Sequence, residues 1–378
     1  MRRAKVLLGF AALGIFWGAW GAALPAVQRA SGASDAELGL ALLLVGVGAL
    51  LSMRGTGVLL DHFGPRLTPV TVGLFGLTGV LPALASSPAQ LCAVLFVVGA
   101  TSGAMDVAIN ADAVREEAAS GRPLLNVAHA SFSGAVVVGS LGAGALRWAG
   151  GGPGLVFTLT SVLVVAAAVA MRGSSSWQPP EREIRPRFFD RVPGWLLVLG
   201  ALGALAFWIE SAWQNWGSVQ LERTLDAAPE TSALAPALFA AAMAAGRLAG
   251  NRLLARWSER RLLVGGALVS ALGTAVGAAA GGAPLALAGI VVAGAGCSVL
   301  APTIISVAGR AARPQERATI VGSVTTLMYL GFLVGPAAVG GLAQLETLPV
   351  SLGAVAVLAL LLAVLCAVVR LPEPRRSG

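Results

Sequence analysis

The sequence predicts an all-α polytopic membrane protein of twelve transmembrane helices, arranged as two pseudo-symmetric six-helix bundles. Three observations carry this. Of 378 residues, 56% are hydrophobic and only 12% charged, with a mean hydropathy of +0.81. A soluble domain is roughly 25% charged, and a chain this apolar could not cover its surface with polar groups. Apolar stretches long enough to cross a hydrocarbon core of about 30 Å recur along the whole chain. The one long polar interruption, residues 172–193, is rich in Pro, Ser and Arg and falls between six such stretches and six more. Disorder is excluded, because it needs low hydrophobicity.

In chain order the spans lie near 6–28, 37–60, 67–86, 89–114, 123–148, 154–171, 194–219, 231–253, 262–280, 284–308, 317–343 and 349–369. The first follows Arg2, Arg3 and Lys5 and has the outline of a signal peptide. Its length, Trp17 and Trp20, and the eleven spans behind it make it a retained helix. The expected organisation is an N-terminal bundle over 1–171, a linker over 172–193, and a C-terminal bundle with a short tail over 194–378. With the N-terminus inside, 23 of the 26 basic residues fall in or beside cytoplasmic loops and tails, and only Arg29, Arg147 and Arg223 fall outside. The positive-inside rule then places both termini in the cytoplasm. The net charge of +8 therefore records insertion topology and no nucleic-acid partner.

The two halves echo each other. Arg54-x-x-Gly57 near the end of the second span recurs as Arg247-x-x-Gly250 near the end of the eighth, and Arg115 after the fourth span matches Arg310 after the tenth. Parallel six-helix repeats are one way to build a secondary transporter, with the substrate site between them near the midplane. Gly273, Gly277 and Gly281, and likewise Gly331 and Gly335, recur at every fourth position as small-residue packing faces.

Several chemistries lack their machinery. Lys5 is the sole lysine, so no G-x-x-x-x-G-K-[ST] phosphate loop exists and uphill transport would not run on an ATPase of this chain. Cys92, Cys297 and Cys366 lie far apart in apolar runs, which argues against a disulfide framework or a zinc site. With two histidines, no H-E-x-x-H and no G-x-S-x-G, the chain is not expected to be an enzyme. No cofactor or metal is expected.

After the second span the chain reads Gly57-Val-Leu-Leu-Asp61-His62-Phe63-Gly64-Pro65-Arg66. This resembles the G-x-L-x-D-R/K-x-G-R/K-R/K loop of the major facilitator superfamily, with His62 and Pro65 in places where basic residues are usual. A weaker copy runs from Gly246 to Arg252, with Asn251 where an aspartate often stands. Trp20 to Pro25, Ser34 to Gly39, Asp106 to Asn110, His129 to Gly134, Glu210 to Ser218 and Tyr329 to Pro336 are similar to bacterial inner-membrane carriers of the YbjJ type, distant relatives of fucose:proton symporters. Asn215 replaces an aspartate usual in the seventh-span motif of those relatives. The resemblance implies alternating access, with Asp61 bracing the cytoplasmic ends of the halves against Arg115 and the region 315–317. Arg66 and Arg54 join this group of gating charges.

Ionisable groups inside spans are functional candidates by default. Ser102, Asp106 and Asn110 form an i, i+4 stripe in the fourth span. Arg54 and His129 are expected at similar depth and could join Asp106 in one ionic cluster; a purely structural Asp106–Arg54 pair is the competing reading. Glu210, Gln214 and Ser218 form a second stripe, beside Trp213, with no basic residue of the second half expected near it. Glu210 is therefore the leading proton-coupling candidate, with Asp106 and His129 behind it. Trp17, Trp20, Asn110, Trp213, Gln214, Asn215 and Tyr329 are the expected cavity lining, suited to a small organic solute with polar and apolar surface.

The function expected is a monomeric, proton-coupled secondary transporter of a small organic solute in the lipid bilayer of the bacterial cytoplasmic membrane. Efflux by proton antiport is the alternative. A drug-antiporter G-x-x-x-G-P signature is missing from the fifth span, where Gly134 to Gly142 contain no proline. A channel or non-transporting scaffold is the reading from outside this class.

Overall fold

The computed structural model describes residues 2–122, 124–173, 193–254, 257–313 and 316–372. The regular structure of the described residues is helical, with no strand among them. The first half holds α1 (Arg2–Ser31), α2 (Asp35–Phe63), α3 (Thr68–Thr78), α4 (Pro88–Ser120), α5 (Leu125–Trp148) and α6 (Pro153–Met171). The second holds α7 (Gly194–Val219), the single turn α8 (Pro229–Ser232), α9 (Leu234–Leu254), α10 (Glu259–Ala278), α11 (Ala283–Cys297), α12 (Leu300–Ala311), α13 (Arg317–Leu345) and α14 (Leu348–Val368). Among the described residues, eleven helices are long and apolar enough to cross a membrane, and a shorter apolar one covers Thr68–Leu84.

Two expected spans are broken for local reasons. α3 stops at Thr78, and Leu81–Leu84 continues as a 3₁₀ turn. Pro82 has no N–H for a helical bond there. The tenth span is divided between α11 and α12, because Pro302 disfavours helical packing against the carbonyl one turn back, at Ser298. At the end of α2, Gly64 adopts φ +61° and stops the helix, a backbone conformation that glycine takes without strain. Asp61, His62 and Arg66 are exposed around this turn.

Packing repeats between the halves. α1 lies on α5, α2 on α4 and α3 on α6; correspondingly α7 lies on α13, α9 on α11 and α10 on α14. The halves meet along α2 with α13 and α5 with α9. Glycine makes the tightest crossings possible: a Cβ on Gly139 of α5 would sit 2.2 Å from the Ile15 carbonyl oxygen of α1. Gly331 holds α13 equally close to Ala204 of α7. Gly273 and Gly277 pack on α11, whereas Gly281, expected to extend that face, has open space beside it.

The outer surface carries exposed Leu51, Leu77, Leu159, Leu163, Leu272, Val357 and Leu360. Such an apolar exterior, with backbone polar groups satisfied inside helices, suits hydrocarbon as solvent. Arg2 at the start of α1 and Val368 at the end of α14 lie at one end of the bundle, because each half contains an even number of crossings; we call this the terminal end and its counterpart the far end.

Candidate functional site

Between the halves lies a cavity of about 420 Å³. α1 contributes Phe10, Trp17 and Trp20, α4 contributes Ser102 and Asp106, and α5 contributes His129 and Phe132. From the second half come Glu210, Gln214 and Asn215 of α7, Phe239 and Arg247 of α9, and Tyr329 of α13. Helical spacing explains the internal order. Gln214, one turn after Glu210, donates to its carboxylate at 2.8 Å. Asn110, one turn after Asp106, donates to the Asp106 backbone carbonyl at 2.9 Å and to its carboxylate at 3.1 Å. Asn215 donates to the Ser211 carbonyl at 2.9 Å. Apolar faces surround these groups: the His129 ring stands edge-on to Phe10 at 5.0 Å, and Tyr329 packs against Phe207 and Phe332.

The lining runs from Trp20, Pro236 and Pro336 toward the far end to Met53, His129 and Arg247 toward the terminal end. Beyond the far-end lining the halves are joined by charge. Arg147 of α5 donates from Nη2 to both Glu222 oxygens at 2.8 and 2.9 Å, and from Nη1 to the Ala22 carbonyl at 2.6 Å. Arg29 of α1 reaches Glu222 at 2.5 Å, and Ser232 donates to it at 2.9 Å. The neighbouring Arg223 pairs with Asp35 at the start of α2 and donates to Gln28 at 3.1 Å. Glu222 and Arg223 sit on a π-helical turn, Gln220–Thr224, that extends α7. Adjacent residues on that wide turn serve different partners across the seam. Ser140 adds a bond to the Ala233 carbonyl at 2.7 Å, and Ser218 donates to the Gly21 carbonyl.

Four expectations need correction. Arg54 is exposed on α2, makes no ion pair with Asp106, and does not line the cavity. One turn of α2 separates it from Met53 and Leu50, the residues that do face inward. Arg247, expected near the cytoplasmic end of the eighth span and away from Glu210, lines the same cavity as Glu210 and lies close enough to interact electrostatically with both Glu210 and His129. Glu210 therefore does have a cation of its own half nearby. Trp213 is fully buried between α7 and α10, its Nε1 donating to Thr274 at 3.0 Å and its ring against Gly277, so it packs the second half and does not line the cavity. Asn110 holds Asp106 and is not itself part of the lining.

The remaining gating candidates sit at the terminal end. Arg115 pairs with Asp112 at 2.5 Å, and its counterpart Arg310 pairs with Glu259. Gln315 lies outside the described residues, as does most of the linker at 174–192. The far-end ion pairs were missed by sequence reasoning, although their signal was present: the three basic residues breaking the inside bias are the three arginines of this seam. Arg247 carried a signal too, since the Arg-x-x-Gly echo placed it within the eighth span.

Comparison with known proteins agrees with this architecture. The family model for the Major Facilitator Superfamily matches residues 196–378. An uncharacterized MFS-type transporter of Yersinia pestis is 35% identical over 363 residues, covering 94% of this chain and 92% of its own. Membrane protein MosC of Rhizobium meliloti is 28% identical, covering 88% and 81%. Among solved structures, a bacterial homolog of the human lysosomal transporter Spinster, inward-facing and occupied, superposes with a TM-score of 0.78 at 16% identity, covering 96% of this chain and 95% of that one. The Major Facilitator Superfamily transporter FucP, in the outward conformation, gives 0.61 at 17% identity, covering 96% and 97%. With this identity to its Yersinia relative along nearly its full length, the chain belongs to the major facilitator superfamily and is a multi-pass membrane transporter.

Proposed function

We propose that the protein carries a small organic solute across the bacterial cytoplasmic membrane by alternating access, driven by a proton gradient. The terminal end is the cytoplasmic one, and the single chain is the working unit. The observation that carries this reading is a cavity lined by both halves, with an inter-half seam of ion pairs beyond its far-end lining. A seam of ion pairs and short polar contacts can be exchanged for water when the halves rock, whereas an apolar core could not. The arginine bias supports the orientation. Glu210 and Asp106 supply two protonatable groups, one from each half, inside the same cavity.

Purified protein in proteoliposomes tests the proposal. A panel of labelled organic solutes is offered with and without a transmembrane pH gradient. Accumulation above equilibrium that collapses with a protonophore is expected. Influx driven by an acidic exterior identifies symport, and influx driven by an acidic lumen identifies antiport. Equilibration without gradient-driven accumulation would leave a passive pathway instead. Cysteines at Ser86 and Gly173 should label from opposite sides; labelling from one side would overturn the orientation.

A further inference from the structure

The polar groups of the cavity are unequally satisfied. Each carboxylate has a donor one turn away on its own helix, Gln214 for Glu210 and Asn110 for Asp106. Ser133 donates to the His129 carbonyl, and Asn215 to that of Ser211. Two donors of the lining are buried with no partner. The Arg247 Nε is buried without an acceptor, and its guanidinium makes no hydrogen bond or ion pair among the described residues. The Trp20 Nε1, on a side chain only 2% exposed, also lacks an acceptor. One comes from each half, and both residues line the cavity. A buried donor without a partner is costly, and a guanidinium cannot lower that cost by losing its proton.

We infer that the cavity takes a small organic anion, its carboxylate or equivalent oxygens held by the Arg247 guanidinium of the second half, with an apolar body among Phe10, Phe132 and Phe239. This rests on the transport reading above and names the substrate class for that site. The planar guanidinium matches a carboxylate in two parallel bonds, which a point charge does not. Charge balance follows as well. An anion entering beside Glu210 and Asp106 is repelled while they are ionised, and protonation of either removes that repulsion. Anion and proton therefore favour each other's binding, by reciprocal linkage. Contact with both halves lets the anion draw them together around it.

The test uses three probes of one skeleton: 3-phenylpropionate, its neutral amide 3-phenylpropionamide, and the cation 3-phenylpropylamine. Binding to the detergent-purified full chain is read by tryptophan fluorescence and thermal shift. The carboxylate should bind most tightly. Arg247→Gln should weaken it about tenfold to a hundredfold while leaving the amide unchanged. Arg247→Lys, which keeps the charge but not the fork, should recover part of the loss. The lysine variant decides the matter if the glutamine variant does not fold. Equal or tighter binding of the amine or amide, binding of none of the three, or carboxylate affinity indifferent to Arg247 would overturn the inference. Carboxylate that binds through Arg247 yet is not concentrated by a proton gradient would remove the proton-driven reading and leave this one standing. Gradient-driven accumulation of the amine, independent of Arg247, would do the reverse.

Discussion

Arg147 and Glu222 face each other from opposite halves of the molecule, the guanidinium bonding both carboxylate oxygens with side chains only 4% and 8% exposed. Such a pair is a conditional contact. Closed, it is desolvated and strong; opened, both ions recover water. Glu222 is shared with Arg29 and Ser232, so one acid gathers three groups from two halves. The seam ties the two halves together at the far end.

Removing that acid should open the far end. Glu222→Gln leaves Arg147 buried without a counter-ion when the halves are closed, but hydrated when they part. The closed state therefore loses more, and the equilibrium moves toward opening by about 1.5–3 kcal/mol. Spin labels at Ala149 and Glu346, exposed at the far ends of the two halves, should show a new long-distance population. Distance distributions like those of the unmodified protein would show that the seam does not set the equilibrium.

Asp61 should act in the opposite sense. As the acid of the loop after α2, it is proposed to brace the terminal ends when the far end is open. Asp61→Asn should then favour the state described here, by about 1–3 kcal/mol for one charged hydrogen bond. Labels at Ser120 and Arg313 report it: the long-distance fraction at the terminal end should rise, and a fall or no change would refute the brace.

Asp106→Asn should fold. The charge it removes is not the partner of a buried arginine, since Arg54 is exposed and apart from it. Asn110 can still bond the substituted side chain and the backbone carbonyl it already holds. Expression and gel-filtration profile should match the parent within experimental scatter. Aggregation would mean that the acid carries a structural charge after all.

Two glycines of one helix make an internally controlled packing test. Gly139→Ala forces a methyl against the Ile15 backbone, where the ideal Cβ lies 2.2 Å from a carbonyl oxygen. Backbone cannot rotate aside as a side chain can, so α1 and α5 must separate, at a cost of about 1–3 kcal/mol. Gly142→Ala has open space and should stabilise slightly by raising helix propensity. Melting temperatures in detergent should fall for the first and hold or rise for the second; equal falls would contradict the crossing.

Composition and periodicity alone determined that the chain is a twelve-span membrane protein with an internal repeat. Hydrocarbon imposes a length and an apolarity on every span, and those constraints are written residue by residue. The stripes through Asp106 and Glu210 were equally legible, because i, i+4 spacing fixes a face within one helix. What tertiary structure decided was which faces meet. Trp213 and Gln214 are adjacent in sequence, yet one packs against α10 and the other lines the cavity, since successive helical residues point about 100° apart. Arg54 and Arg247 occupy equivalent places in the two repeats, yet only the second enters the cavity. Arg147 and Glu222 lie 75 residues apart, and Arg223 and Asp35 lie 188 apart. No local pattern couples such positions; the packing of one half against the other brings them together.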